Sequence, residues 1–244
     1  MPTRMESYTE TDGEFIRTFL YKPETSVFFK TKKQDVAILD TPTFGRTLFL
    51  DGILQSSEKD EEIYHRKIVH PVMFHLKDKQ NVLILGGGEG ATLREVCKYD
   101  SEKIATITMI DWDQELVNYY RNHEPTWHKG AFEDLRVRLE FADVFDLIGQ
   151  TREYDVIIVD LIDPDVSDPR WKELLKTLYS WLPETGTMSI NAGGFLPWDM
   201  KDVVELEQYL RKIAGLQKVF KMRCFCPSFG REWAILTVTP PYRR

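Results

Sequence analysis

The chain has 244 residues, a formal net charge of −7, a pI near 5.4 and 42% apolar residues. This length suits one large domain or a standard domain with a small companion, and the apolar content is enough for a packed core rather than a disordered coil. The acidic balance argues against a nucleic-acid partner, which needs a basic face, and no apolar run approaches membrane-spanning length.

The N-terminal stretch 1–15 is polar and lacks the apolar segment of a secretory leader. The three cysteines, Cys97, Cys224 and Cys226, form neither an even framework nor a Cys-x-x-Cys pair. A cytoplasmic protein with reduced thiols and no metal is the expectation. Residues 15–20, 26–31, 34–40 and 47–50 are short runs rich in β-branched and aromatic side chains, separated by Lys-Pro, Lys-Lys and Pro-Thr-Phe-Gly punctuation. They predict a small antiparallel β domain over residues 1–60. From 60 to 75 the spacing of Ile63, the Lys67 stem, Ile68 and Met73 predicts a helix kinked at Pro71. Strands follow at 81–86, 104–111, 136–141, 154–160, 186–191, 217–226 and 232–239, with helices near 91–99, 113–122, 170–181 and 200–214. Such alternation predicts an α/β fold over residues 61–244, a doubly wound and mainly parallel sheet of the Rossmann-like kind. The last two strands, with no helix between them, should form an antiparallel hairpin at the sheet edge.

Two segments carry chemistry. Val82-Leu83-Ile84-Leu85 runs into Gly86-Gly87-Gly88-Glu89-Gly90, a buried strand entering a loop where Gly86 and Gly88 let the backbone approach a nucleoside ligand. The loop fits both Gly-x-Gly-x-Gly and, with Ala91, the dinucleotide fingerprint. The next strand ends Asp111-Trp112-Asp113, where a carboxylate can take both ribose hydroxyls; the alternative for either acid is a helix cap. The strand after that ends at Asp143-Val144, placing a carboxylate where an adenine amino group could donate. A dinucleotide reading accounts for the first two strand ends only. It leaves Asp160 and Asp163 without a task.

Those two acids follow the apolar run Val156-Ile157-Ile158-Val159 and stand three residues apart, with Leu161-Ile162 between them and Pro164 after. Pro164 turns Asp163 away from helix, so the pair sits in a loop at a strand's end, with an Asx-turn as the structural alternative. Two close carboxylates can hold an alkylammonium group and take its proton, which an amine with a solution pKa near ~10.4 must lose before it becomes a nucleophile.

With these residues in view, the sequence resembles the polyamine aminopropyltransferases (spermidine, spermine and thermospermine synthases) from about residue 34 to 239. The resemblance rests on Gln34-Asp35-Val36, on Phe44-Gly45, on residues 48–55 with Glu58-Lys59-Asp60-Glu61, on Tyr64-His65, on the glycine loop continued to Glu95, on residues 127–132, and on residues 154–164. It implies transfer of an aminopropyl group from decarboxylated S-adenosylmethionine, a co-substrate with no prosthetic group, to putrescine or spermidine, in a homodimer or homotetramer. It implies that Gln34, His65, Glu89, Asp111, Asp143 and Val144 bind the donor, that Asp160 accepts the proton, and that Asp163 and Tyr64 hold the acceptor amine. Phe229 stands where many members carry an acceptor-pocket Tyr. Leu161-Ile162 replaces the common Ser-Ser, Lys33 a common Tyr, Arg66 a Glu, and the loop 165–171 departs from the usual Val-Gly-Pro-Ala pattern, which leaves the acceptor open. Two alternatives stand beside this reading: an S-adenosylmethionine-dependent amine N-methyltransferase, and a non-catalytic polyamine- or nucleoside-binding protein.

Overall fold

The computed structural model describes residues 4–13, 15–74, 80–196, 198 and 200–239. The N-terminal sheet has five strands in consecutive order: β1 (Glu6–Asp12), β2 (Phe15–Lys30), β3 (Asp35–Thr41), β4 (Gly45–Leu50) and β5 (Ile53–Ser57), each antiparallel to the next. Then come α1 (Glu61–Met73), β6 (Gln80–Gly86), α2 (Ala91–Cys97), β7 (Ile104–Asp111), α3 (Gln114–His123), α4 (Pro125–His128), β8 (Val137–Phe141), β9 (Val156–Asp160), α5 (Pro169–Ser180), β10 (Thr187–Phe195), α6 (Lys201–Ala214), β11 (Val219–Cys226) and β12 (Arg231–Val238). The second sheet has the order β11-β12-β10-β9-β6-β7-β8. Its strands pair in parallel from β10 to β8, and β12 and β11 close one edge antiparallel.

Period-two alternation distributes the core of this sheet over two faces. Leu83, Leu85, Ile157 and Val159 pack against α5 and α6 through Leu174, Leu178, Leu206 and Leu210. Val82, Ile84, Val156 and Ile158 pack against α1 and α2 through Ile68, Val72, Leu93 and Val96. Covered on both sides, β6 and β9 read as unbroken apolar runs, as parallel strands do. Chain order reverses between β6, which continues outward to β7 and β8, and its other neighbour β9, and at such a reversal a crevice opens outside the carboxyl ends of the strands. The N-terminal sheet contributes Val36, Ile38 and Leu48 to a third apolar cluster with Leu116, Tyr120 and Trp127. The Trp127 indole donates to Ser56 Oγ at 3.0 Å, and Arg46 pairs with Glu124.

Three sequence expectations change here. The runs at 15–20 and 26–31 belong to one strand, β2, whose pairing with β3 shifts register between Lys22 and Val27; Pro23 falls in that irregularity, where no ladder donor is needed. Strand β1 was not anticipated because Glu6–Asp12 is mostly polar, yet Glu10 is buried on Arg17 and accepts from the Leu54 amide at 2.9 Å. Strand β5 hid in a stretch with no strand alternation. Helix α1 runs through Pro71 to Met73, and the expected end at residue 75 lies outside the described residues. The remaining strands and helices α2, α3, α5 and α6 stand within a few residues of their predicted ranges, as end-assignments do, whereas the short α4 was not anticipated.

Candidate active site

A cavity of about 550 Å³ opens at the carboxyl ends of β6, β7 and β9, within the usual span for small-molecule sites. Gln34, Tyr64, His65, Gly86, Gly88, Glu89, Asp111, Asp143, Val144, Asp160, Asp163 and Phe229 all line it. Gly86 lies directly across from Asp160 in the β6–β9 register. A Cβ at Gly86, whose φ is +79°, would stand 2.1 Å from the Asp160 carbonyl oxygen, so the two strand ends close only with glycine there. A Cβ at Gly88 would meet Asp111 Oδ2 at 3.1 Å.

The two acids after β7 have separate tasks. Asp113 caps α3 by accepting from the Leu116 amide at 3.1 Å, and it also accepts from Thr31 Oγ1 at 2.6 Å and Gln34 Nε2 at 2.8 Å. Its carboxylate is therefore structural, and the Gln34 amide that it holds reaches the cavity wall. Among the described residues, Asp111 accepts only the Asp113 amide, at 2.8 Å on Oδ1. Burial raises its pKa to about 6, opposed by that amide and reinforced by Asp113, Glu89 and Asp160. Asp143 caps the short 3₁₀ turn that follows β8, accepting from the Phe145 amide at 2.9 Å.

Asp160 is held at both oxygens. The Tyr64 hydroxyl donates to Oδ1 at 2.7 Å and the Thr92 hydroxyl to Oδ2 at 2.5 Å. Burial raises the Asp160 pKa, with Glu89 adding to the rise and His65, Thr92 and Tyr64 opposing it. Tyr64, expected on the acceptor amine, comes from α1 to grip the carboxylate. Thr92 went unnoticed in the sequence because it sits inside the glycine-loop helix, with no sequence signal that it faces Asp160, 68 positions away.

His65 uses both ring nitrogens: Nδ1 lies 2.7 Å from Glu61 Oε2 and Nε2 lies 3.0 Å from Glu89 Oε1. Burial disfavours its charge, but the hydrogen bonds to Glu61 and Glu89 and the attraction of Glu89 and Asp160 hold its pKa well above the usual imidazole range. Glu61 is in turn bidentate to Arg94, at 2.8 and 2.9 Å, and Arg94 reaches Glu95 at 2.8 Å. Charges thus alternate from Glu89 in the cavity through His65, Glu61 and Arg94 to Glu95. His65, Glu89 and Asp160 bring ligand atoms within 4.8 Å of one another, yet both imidazole nitrogens are spent on carboxylates and no lone pair remains for a metal.

Asp163 accepts from Asn191 Nδ2 at 3.2 Å, and Asn191 Oδ1 accepts from the Trp233 indole at 2.7 Å. Although Asp163 is exposed on the cavity wall, desolvation by the surrounding protein pushes its pKa up to about 6; Asn191 and Arg231 restrain it and Asp12 adds to it. Phe229 packs against Trp233 in a tilted pair with centroids 4.6 Å apart. Sequence reasoning singled out neither Asn191 nor the Asp12 and Arg231 that complete this end of the cavity. Among the lining residues, carboxylates outnumber cations, and Leu48, Ile53, Leu54 and Leu161 add apolar surface.

Comparison with known proteins places the fold and its relatives. Residues 61–242 match the family model described as the spermine/spermidine synthase domain, and residues 26–58 match the spermidine synthase tetramerisation domain. The chain is 39% identical over 194 residues to a polyamine aminopropyltransferase of Saccharolobus islandicus, covering 79% of this chain and 63% of that protein. It is 38% identical over 214 residues to one from a Synechococcus strain, covering 82% of this chain and 66% of that protein. The chain therefore matches somewhat under two thirds of the length of these relatives. The crystal structure of spermidine synthase from Thermotoga maritima superposes with a TM-score of 0.83 at 23% identity, over 98% of this chain and 82% of that one. A spermidine synthase in complex with a transition-state analogue superposes equally well, at 0.83 and 24% identity, over 98% of this chain and 81% of that one. Among the described residues no helix is long and apolar enough to cross a membrane.

Proposed function

The chain belongs to the spermine/spermidine synthase family, and from that membership and the geometry of the cavity we propose that it is an aminopropyltransferase. It moves the aminopropyl group of decarboxylated S-adenosylmethionine to the amine of putrescine or spermidine and releases methylthioadenosine. The observation that carries this reading is Asp160, half-buried at the end of β9 and paired in register with Gly86 of the nucleoside loop. Asp163 stands beside it on the same cavity wall.

In this reading Asp111 takes the ribose diol, Asp143 and Val144 face the adenine, and Gln34 shapes the wall beside them. Glu89, held by His65, receives the donor's terminal ammonium. Asp160 accepts a proton from the acceptor's ammonium, and Asp163 with Phe229 holds the rest of that molecule. The freed amine attacks the methylene next to the sulfonium; a C–N bond forms as the C–S bond breaks, and the electron pair passes to sulfur, leaving a neutral thioether. No covalent enzyme intermediate is required, so the protein's work is to align two bound reactants and manage one proton. An intact S-adenosylmethionine would bring its own carboxylate toward Glu89 and Asp160, which favours the decarboxylated donor over a methyl transfer.

Residues 1–60 form the unit that joins copies of the chain, in keeping with the tetramerisation family model over 26–58, and residues 61–244 form the catalytic unit of a cytoplasmic enzyme. Incubation of the purified protein with decarboxylated donor and either amine, followed by chromatography, tests the proposal. Stoichiometric methylthioadenosine and an amine lengthened by one aminopropyl group are expected. Absence of both products refutes it.

A further inference from the structure

The cavity carries two electrostatic neighbourhoods. Asp160 faces Tyr64, Thr92, His65 and Glu89. Asp163 faces Asn191, the Gly194 amide, Arg231 and Asp12. A slender molecule whose reacting nitrogen lies at Asp160 therefore extends past Asp163 toward Arg231 and Asp12.

Arg231 is the unexpected group there. It is the only Arg or Lys among the described residues that line the cavity, and it stands in a space whose other charges suit cations. Its place is fixed on several sides. Its guanidinium pairs with Asp12 of β1, lies 5.6 Å from the Phe15 ring centroid and 6.0 Å from that of Trp233. Its Cδ rests over Gly194, where a Cβ would come within 2.9 Å. The side chain is 19% exposed. A guanidinium is charged at every working pH, and while it holds Asp12 that carboxylate is not available to another cation. Among the described residues, Asp163 remains as the one carboxylate of this end not paired with an Arg or Lys.

We propose that the Asp12–Arg231 pair is the acceptor selector of this protein: it closes the far end of the amine channel to a third ammonium, so that a linear diamine is the preferred acceptor and a linear triamine is disfavoured. One ammonium of a diamine meets Asp160 and the other Asp163. The additional ammonium of a triamine meets a fixed positive charge whose counter-ion is already engaged, and discrimination by an introduced repulsion of this kind needs no steric block. This inference rests on the aminopropyltransferase reading of the same cavity.

The test compares putrescine and spermidine on the full-length protein and on Arg231→Gln, Asp12→Asn and the double variant. The parent protein is expected to favour putrescine by about tenfold or more in kcat/KM, and Arg231→Gln, which releases Asp12, to raise the spermidine-to-putrescine ratio by about tenfold. The double variant, which lifts the repulsion without releasing a carboxylate, should keep only part of that gain. A ratio that stays within about twofold of the parent in Arg231→Gln overturns the inference, as does a double variant whose gain exceeds that of Arg231→Gln, because the released carboxylate would then contribute nothing. Asp12→Asn alone changes a half-exposed hairpin residue and leaves the guanidinium free to turn on Asp163; it should raise the KM for putrescine about threefold or more, and an unchanged KM counts against the selector. Calorimetry of each amine in the presence of methylthioadenosine reads the same ratio without turnover. A parent protein that makes no product from either amine refutes the aminopropyltransferase reading, whereas an active parent with an unmoved ratio in Arg231→Gln refutes the selector alone.

Discussion

Replacing Thr92 by Val removes one hydroxyl from a fully buried position and keeps its shape. In the native site that hydroxyl donates to Asp160 Oδ2 at 2.5 Å, opposite the Tyr64 hydroxyl on Oδ1 at 2.7 Å. Both bonds favour the ionised carboxylate, against a burial that favours the neutral acid. A hydrogen bond to a charged group contributes about 1.5–3 kcal/mol, and one pKa unit corresponds to about 1.36 kcal/mol, so Thr92→Val should raise the Asp160 pKa by about one to two units. The other charged and titratable groups facing Asp160, namely His65, Glu89 and Tyr64, are untouched by the change. Asp160 acts as a proton acceptor only when ionised, so the acid limb of the kcat–pH profile should move up by the same amount, while kcat at high pH recovers toward the parent value. Thr92→Ser, which keeps the donor, should restore the parent profile. The assay is release of methylthioadenosine at saturating amine across the pH range. An acid limb in Thr92→Val that superimposes on the parent's refutes the reasoning, since a merely structural role for Thr92 would lower activity at every pH alike.

Asp160→Asn should keep the fold and methylthioadenosine binding but lose about 10²–10⁴ in kcat; near-normal turnover in the purified variant would remove Asp160 from its role. Methylthioadenosine affinity, measured by calorimetry, should weaken as pH falls through about 6, where buried Asp111 takes up a proton, and Asp111→Ala should weaken binding by about 1.5–3 kcal/mol and abolish that pH dependence. Burial opposes the Glu61 charge, but His65 and Arg94 bring its pKa down to about 2 from an ordinary 4.5. A carboxylate depressed in the folded state adds stability above its unfolded pKa, and that stability drains as pH falls toward the folded value. Denaturant melts should therefore find Glu61→Gln less stable at neutral pH and less sensitive to acid between about pH 4.5 and 2 than the parent; parallel pH–stability curves would contradict the ion-pair chain.

The catalytic sheet was legible because its signals are local. The apolar runs before Gly86 and Asp160 mark strands covered on both faces, and glycines or acids placed where those runs stop mark the ligand-facing end. The first sixty residues were harder. Strand β1 carries its inward acid, Glu10, in a polar sequence, and β2 continues through Pro23 at a register shift. In both cases pairing with a neighbouring strand overrides the local propensity. Of the two acids after β7, either could have been the helix cap; only the fold gives that work to Asp113 and leaves Asp111 open to the cavity.

The sequence by itself determined the class of fold, the strand–helix alternation of the catalytic sheet, and which acids and glycines terminate its strands, since each depends on periodicities and turn chemistry a few residues long. Tertiary structure alone decided what those acids touch. Thr92 and Tyr64 reach Asp160 across 68 and 96 positions, Asn191 reaches Asp163 across 28, and Arg231 meets Asp12 across 219. No propensity or spacing encodes such partners, because they are set by how two sheets and their helices bury apolar faces against one another. The proton affinity of each carboxylate follows from that burial and from the donors it brings within reach.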